Sequence, residues 1–261
     1  MKPCLNEKSR SNVYITLRFD KGLGKKIIVT TSWDDNSYEN LKMIRLLDRF
    51  GICGTFYINS KTDNMGRNLN QNRIKEMVFE VAHSSRHEVG SHTVNHAILT
   101  KCKNPYEEIE GSKYELEKLT QRDVISFCYP NGAYDDNIKN IVKDAGYRCA
   151  RTCDYEGIGL PKDSYEWGIT LHASNGSPRT TFKIWRQSGI SFRSLLDWEI
   201  RAKLLFNLVL EKGGIWHLWG HSWEIESHKD WDKLARVLQY VSDREGVLHV
   251  TNGEIFKNVC Y

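Results

Sequence analysis

Apolar positions along the chain recur in two alternating rhythms. Short apolar runs, several of them β-branched and ending abruptly in polar residues, mark strands buried on both faces; they fall at 27–33, 53–58, 88–90, 124–128, 147–152, 214–219 and 247–251. Between them apolar residues return at helical spacing. Leu41, Ile44 and Leu47 set the stripe of a helix over 38–50 that stops before Gly51, and the same reasoning predicts helices over 73–82, 105–119, 135–145, 194–211 and 231–242. Residues 13–19 alternate like an edge strand and are broken off by Gly22 and Gly24. Residues 153–187 mix Gly, Pro, Ser and aromatics, which predicts a long irregular excursion with one strand at 167–171. Strand, helix and strand in series require right-handed parallel crossovers. About seven such units predict an α/β fold whose parallel strands close into a barrel-like sheet, with its chemistry at the strands' C-terminal ends.

The first of these strands runs into Asp34 and Asp35. Neighbours on an extended chain point opposite ways, so two acids at a strand's mouth can address different partners, one a metal and the other a proton. The plainer alternative is that Asp34, Asp35 and Asn36 turn the chain and cap the helix starting near Ser37. His92 and His96 follow another short strand at a spacing that puts both imidazoles within reach of one ion; the alternative is packing or capping. One carboxylate and two imidazoles leave coordination positions open, as a catalytic metal site requires.

The 261 residues, 40% hydrophobic and 27% charged, are those of an ordinary globular chain. A net charge of +4 is spread rather than clustered, which argues against a nucleic-acid footprint. No segment reads as a signal peptide or a membrane span, so the expected location is cytoplasmic. Seven scattered cysteines, an odd number without paired-ligand spacing, are expected as free thiols of a reducing compartment.

Four motifs in order carry a resemblance. Thr31-Ser32-Trp33-Asp34-Asp35, Ser91-His92-Thr93-Val94-Asn95-His96, Phe127-Cys128-Tyr129-Pro130-Asn131-Gly132 and Ile215-Trp216-His217-Leu218-Trp219-Gly220-His221 resemble the motifs of the polysaccharide deacetylase family (NodB homology, carbohydrate esterase family 4). The resemblance implies a distorted (β/α)7-type barrel, a single domain over 1–261 with its core at about 27–251. It also implies Asp34 as general base, Asp35, His92 and His96 as ligands of a divalent metal, and His221 as general acid. Zinc is the default ion, with cobalt, nickel and manganese compatible with the same ligands. Tyr129 would supply an oxyanion N–H, and Tyr129, Pro130 and Trp223 would contact substrate.

The chain departs from the family pattern in three places. Cys128 stands where the family carries an arginine that orients the base, and Arg151, at the end of the strand 147–152, is expected to reach that place from a neighbouring strand. Trp33 and Asn36 replace the usual phenylalanine and glycine around the acid pair. The family's Asp-Trp motif has no secure counterpart: Asp197-Trp198 matches in letters but opens a helix, so the group that orients His221 is not identified. His217 competes with His221 but lies within the apolar run. Glu224 reads as a solvated loop acid, Trp167 and His172 as packing residues near the cleft, and Trp216 and Trp219 as core.

The implied activity is a metal-dependent deacetylase acting on carbon–nitrogen bonds other than peptide bonds. It would take N-acetyl groups from an N-acetylated glycan, sugar precursor or glycoconjugate and release acetate. An O-acetyl esterase, a cyclic-amide hydrolase and a non-catalytic carbohydrate-binding protein are the alternatives.

Overall fold

A computed structural model describes residues 26–61, 70–84, 86–175 and 178–257. The strand expected at 13–19, the break at Gly22 and Gly24, Cys4 and Cys260 lie outside these residues. Nine strands are described: β1 (Ile27–Asp34), β2 (Gly54–Ile58), β3 (His87–Ser91), β4 (Ser126–Cys128), β5 (Cys149–Tyr155), β6 (Trp167–Ile169), β7 (Leu171–His172), β8 (Gly214–Gly220) and β9 (Val247–His249). Every described pairing is parallel.

The strand order β6-β5-β4-β3-β2-β1-β8-β7 closes on itself, because β6 and β7 are separated only by Thr170, whose N–H donates to His217 O at 3.1 Å. Counting β6 and β7 as one stave, with β1 to β5 and β8, gives the seven staves of a (β/α)7-type barrel. The barrel is distorted. β3 and β4 share a single register pair, Ser91 with Phe127, and the β5–β6 register shifts between Arg151 and Tyr155. β9 pairs with Ile27–Val29 of β1, below the point where β2 takes over that edge.

Helices Glu39–Arg49, Gln71–His83, Pro105–Thr120, Asp136–Asp144, Trp198–Lys212 and Trp231–Val241 cover the sheet, close to the ranges their apolar spacing predicts. Their ends follow local chemistry. In Pro105–Thr120 the Asn104 side chain accepts the Glu107 N–H, Pro105 occupies the first turn where its missing donor costs nothing, and Glu107 and Glu108 face the positive helix end. Gly214 opens β8 at φ 117°, where a Cβ would lie 2.0 Å from Ile158 O, so only glycine fits that crossing. The inward stripes (Met43 and Leu47, Val78, Leu205 and Phe206, Leu234 and Leu238) are fully buried against the sheet, each side chain contributing roughly 1.5–3 kcal/mol.

The floor of the barrel carries a polar network. Glu88 accepts from Thr55 Oγ1, Ser126 Oγ and the Gly253 N–H, and Asn252 bonds Thr30 and the Tyr57 hydroxyl. That network seats the Tyr57 ring beneath the mouth.

Two readings need correction. Residues 153–187 are irregular only in part: 156–166 carry no helix or strand and the strand expected at 167–171 is present as β6 and β7, but β5 extends to Tyr155 and Pro178–Ser188 is a helix. Its buried stripe is only Thr181 and Ile184, too narrow to register as a period. The helix expected from 194 starts at Trp198, because the Asp197 carboxylate caps it by accepting the Glu199 and Ile200 N–H groups. Among the described residues no helix is long and apolar enough to cross a membrane. Cys53, Cys102, Cys128, Cys149 and Cys153 are free thiols.

Candidate active site

At the C-terminal mouth of β1 the two acids part. Asp34 is the last strand residue, and Asp35 takes φ 72°, its N–H donating to Tyr57 O at 3.1 Å. That left-handed step is costly for a side-chain-bearing residue, and here it turns the second carboxylate away from the first. The capping alternative is not realised: the helix starting at Glu39 has no side-chain cap. Asn36 instead spans to the loop after β2, donating to Asn59 O and Lys61 O and accepting the Asn59 N–H.

Asp34 Oδ2 pairs with the Arg151 guanidinium and accepts Trp219 Nε1–H at 2.8 Å, while Oδ1 is buried without a hydrogen-bond partner among the described residues. Burial alone would raise the Asp34 pKa. The Arg151 guanidinium first, with smaller contributions from the imidazoles of His92 and His221, outweighs burial and holds the carboxyl well below its usual value. The result is a buried carboxylate with one oxygen clamped and the other open.

Arg151 lies in register with Cys128 across the β4–β5 ladder. It therefore reaches Asp34 from one stave beyond the family's arginine position. Its guanidinium sits 5.2 Å from the Tyr57 ring and 5.0 Å from the Trp219 ring, and it donates to Thr152 O and Cys128 Sγ. Burial pushes the Cys128 thiol well above its ordinary value, so that residue stays neutral beside the pair.

His92 leaves β3, and its Nδ1–H donates to Cys128 O at 2.9 Å, which turns Nε2 toward Asp35. Asp35 Oδ1 lies 3.7 Å from His92 Nε2 and 3.3 Å from His96 Nε2. The loop is a compact turn rather than a helix, with Thr93 at φ 67° and His96 at φ 57°. Burial pushes His92 down to about 4, leaving its imidazole neutral near pH 7. These donors fall within 4.8 Å of one another. Two imidazole nitrogens and a carboxylate, with the His92 tautomer set by a backbone carbonyl, fit a divalent cation.

His221 follows β8, its Nε2 3.8 Å from Asp35 Oδ2. Its orienting group is Glu224, which is no solvated loop acid: Oε2 lies 2.7 Å from His221 Nδ1 and 3.1 Å from His172 Nε2. Although burial opposes it, Glu224 with Asp34 and Asp35 raises the His221 pKa above its usual value. Glu224→Gln is expected to lower that pKa. With His221 in the acid role that the family resemblance implies, an acid working only while protonated, the alkaline limb of the pH–rate profile would move to lower pH. An unmoved limb would leave Glu224 no hold on His221.

His217 is a packing residue: Nε2 lies 2.8 Å from Ser32 Oγ, Nδ1 3.2 Å from Gly168 O, and the ring stacks on Trp167 at 4.6 Å. Burial pushes it down to about 3. Trp216 is core, donating to Ala202 O. Trp219 is not, since its indole holds Asp34. Trp223 donates to Asp35 Oδ2 at 3.3 Å, its ring 5.2 Å from His221. Asp197-Trp198 stays outside the site, Trp198 being buried with its Nε1–H on Asp230.

The reading of Tyr129 also needs correction, because its N–H is spent on Arg151 O at 3.2 Å within the ladder; its phenol donates to Tyr165 O. In the following turn Pro130 has no N–H, and those of Gly132 and Ala133 close back on Tyr129 O and Pro130 O. Asn131, at φ 56°, is the turn's remaining donor candidate.

The sequence profile of the polysaccharide deacetylase family matches residues 8–150. The chain belongs to the polysaccharide deacetylase family. No match is found among curated proteins. The fold is shared with solved family structures. A Mycobacterium smegmatis protein assigned as a polysaccharide deacetylase superposes with TM-score 0.64 at 14% identity, covering 92% of each chain. The peptidoglycan deacetylase PdaC of Bacillus subtilis gives 0.54 at 15% identity, covering 90% of this chain and 91% of that one. A polysaccharide deacetylase from Bacillus cereus is 30% identical over 52% of this chain and 44% of its own, with TM-score 0.43; the alignment thus spans less than half of that relative. In this member of the family the residues missed by sequence reasoning are Trp219, Glu224 and His172. Only Glu224, three residues after His221, offered a local signal.

Proposed function

We propose that the chain is a metal-dependent amidohydrolase that removes N-acetyl groups from amino sugars of a glycan or glycoconjugate. The observation that carries this reading is the division of the adjacent acids: Asp34 is held by Arg151 and Trp219 with one oxygen open, while Asp35 faces two imidazole nitrogens. Asp35, His92 and His96 would hold the cation, which when bound polarises the acetamide carbonyl and acidifies water.

The chain's own groups account for the protons. Asp34 Oδ1 takes a proton as the water oxygen attacks the carbonyl carbon. As the carbon–nitrogen bond breaks, His221 Nε2 delivers a proton to the departing nitrogen, with Glu224 accepting its Nδ1–H throughout. Acetate and a free amine leave. Asn131 is the proposed N–H donor to the oxyanion, in place of Tyr129. Trp223 braces Asp35, and its ring beside His221 is available for a sugar face.

Acetate release from N-acetylglucosamine oligomers tests the reading. Metal-depleted protein is expected to be inactive and zinc or cobalt to restore it, while His92→Ala is expected to lose both zinc in equilibrium dialysis and activity. Activity without metal, or full activity in His92→Ala, would sink the metal-dependent reading.

A further inference from the structure

The segment between β7 and the helix Trp198–Lys212 has a surface that the chemistry above does not use. Phe182 (50% exposed), Trp185 (42%), Phe192 (40%), Leu196 (52%) and Ile200 (49%) present apolar side chains to the outside. The aromatics form one row, with ring centroids 5.3 Å apart for Phe182 and Trp185 and 6.3 Å apart for Trp185 and Phe192. Monomeric proteins rarely leave so concentrated an apolar surface without use.

The charge around that row has one sign. Residues 167–196 contain Arg179, Lys183, Arg186 and Arg193 and no Asp or Glu. None of the four cations forms an ion pair among the described residues. At about 100° per residue, the helix Pro178–Ser188 divides into three sectors. Thr181 and Ile184 face the protein, Trp185 and Phe182 come next, and Arg186, Arg179 and Lys183 stand beyond them. Aromatics placed between a buried stripe and a cationic one suit a lipid headgroup boundary, where rings enter the acyl edge and cations meet phosphates.

The segment is tied to the mouth of the barrel. It leaves β7 at His172, beside Glu224, and the buried Arg201 guanidinium gathers the carbonyls of His172, Ser174, Asn175 and Leu195 into one knot.

We propose that residues 178–196 form an interfacial anchor that lays the mouth of the barrel on an anionic lipid surface, the acids that follow, Asp197 and Glu199, being paired with Lys233 and with Lys203 and Arg236. Its charge selects lipid over the other occupants, since a second copy of this chain would bring the same cations face to face. Together with the deacetylase reading it makes a lipid-borne N-acetylated glycan the substrate class. That second step rests on the proposed function; lipid docking does not.

Flotation of the full chain with equimolar phosphatidylglycerol–phosphatidylcholine vesicles, against phosphatidylcholine alone, tests it without any turnover. Binding is expected on the anionic vesicles only and to fall at high salt. It should also fall on the order of 100-fold in Arg179→Gln/Lys183→Gln/Arg186→Gln, from the contribution of each cation near an anionic surface. Phe182→Ser/Trp185→Ser should lose binding with an unchanged circular dichroism spectrum, since both rings are exposed. Absent or charge-independent flotation would overturn the proposal, as would binding retained in both variants. A solution dimer that the Phe182→Ser/Trp185→Ser change dissociates would assign the surface to a second copy instead.

Discussion

Asp34→Asn is expected to lower turnover by roughly 10²–10⁴-fold, the usual worth of a positioned general base, while zinc affinity stays near the parent's. The asparagine oxygen can still accept from Trp219, and Arg151 keeps its Thr152 carbonyl and its two flanking rings. Those contacts persist, although the fold is expected to lose stability because the amide no longer neutralises the buried Arg151 guanidinium. What disappears is the open anionic oxygen, because an amide cannot take a proton from water near neutral pH. Asp35, with its two histidines, is left intact, so the two acids separate experimentally: the Asp34 variant loses rate, whereas the His92 variant loses the ion. Acetate release alongside equilibrium dialysis of zinc reads both quantities. Turnover close to the parent's would remove Asp34 from the base role, and a parallel loss of zinc would mean the acids act as one site.

The second large effect is on stability. Arg151 and Asp34 are both buried and pair directly, and removing one member of such a pair strands the other charge, typically at about 3–5 kcal/mol. Arg151→Met, which keeps bulk between Tyr57 and Trp219, should therefore destabilise the fold by about that much at pH 7. The pH dependence has a definite sign. In the parent the Asp34 carboxyl is held below its unfolded value. Its contribution is thus present above that value and is lost as pH falls through the folded one. Without the guanidinium, burial dominates and lifts the Asp34 pKa above the unfolded value, so the variant gains stability as pH falls. The gap between parent and variant in denaturant unfolding should narrow from pH 7 toward acid. A gap independent of pH, or one absent at pH 7, would show that the pair does not act this way.

Arg151 also shows where sequence reasoning reaches and where it stops. Cys128 in the third motif signalled a missing partner for the base, and Arg151 at a strand end was a reasonable replacement. That its guanidinium arrives at Asp34 follows from the pairing of Cys128 with Arg151 across two parallel staves, a register that no local pattern states. Tyr129 makes the same point from the other side. Its motif position marks an oxyanion donor, yet the same strand pairing consumes its N–H. Glu224 looked solvated because the sequence around it is polar; its burial depends on β7 bringing His172 against it from some fifty residues away.

The sequence by itself determined six of the seven staves and most of the helices between them, the strand ends near which Asp34, Asp35, His92, His96 and His221 stand, and the family to which their order points. Those are short-range facts, since side-chain periodicity and the polar break at a strand's end need only adjacent residues. Tertiary structure alone decided what each of those side chains touches: which oxygen of Asp34 is clamped, which nitrogen of His92 is free, and which acid holds His221. The closing of the ring through residues 167–172, and the turning of an aromatic, basic helix to the outside, were decided there too. The physical reason is that the mouth of a barrel is assembled from the ends of all its staves. Hydrogen-bond partners there are chosen by strand register and by the directions of loops distant in sequence, and a chain read one window at a time carries neither.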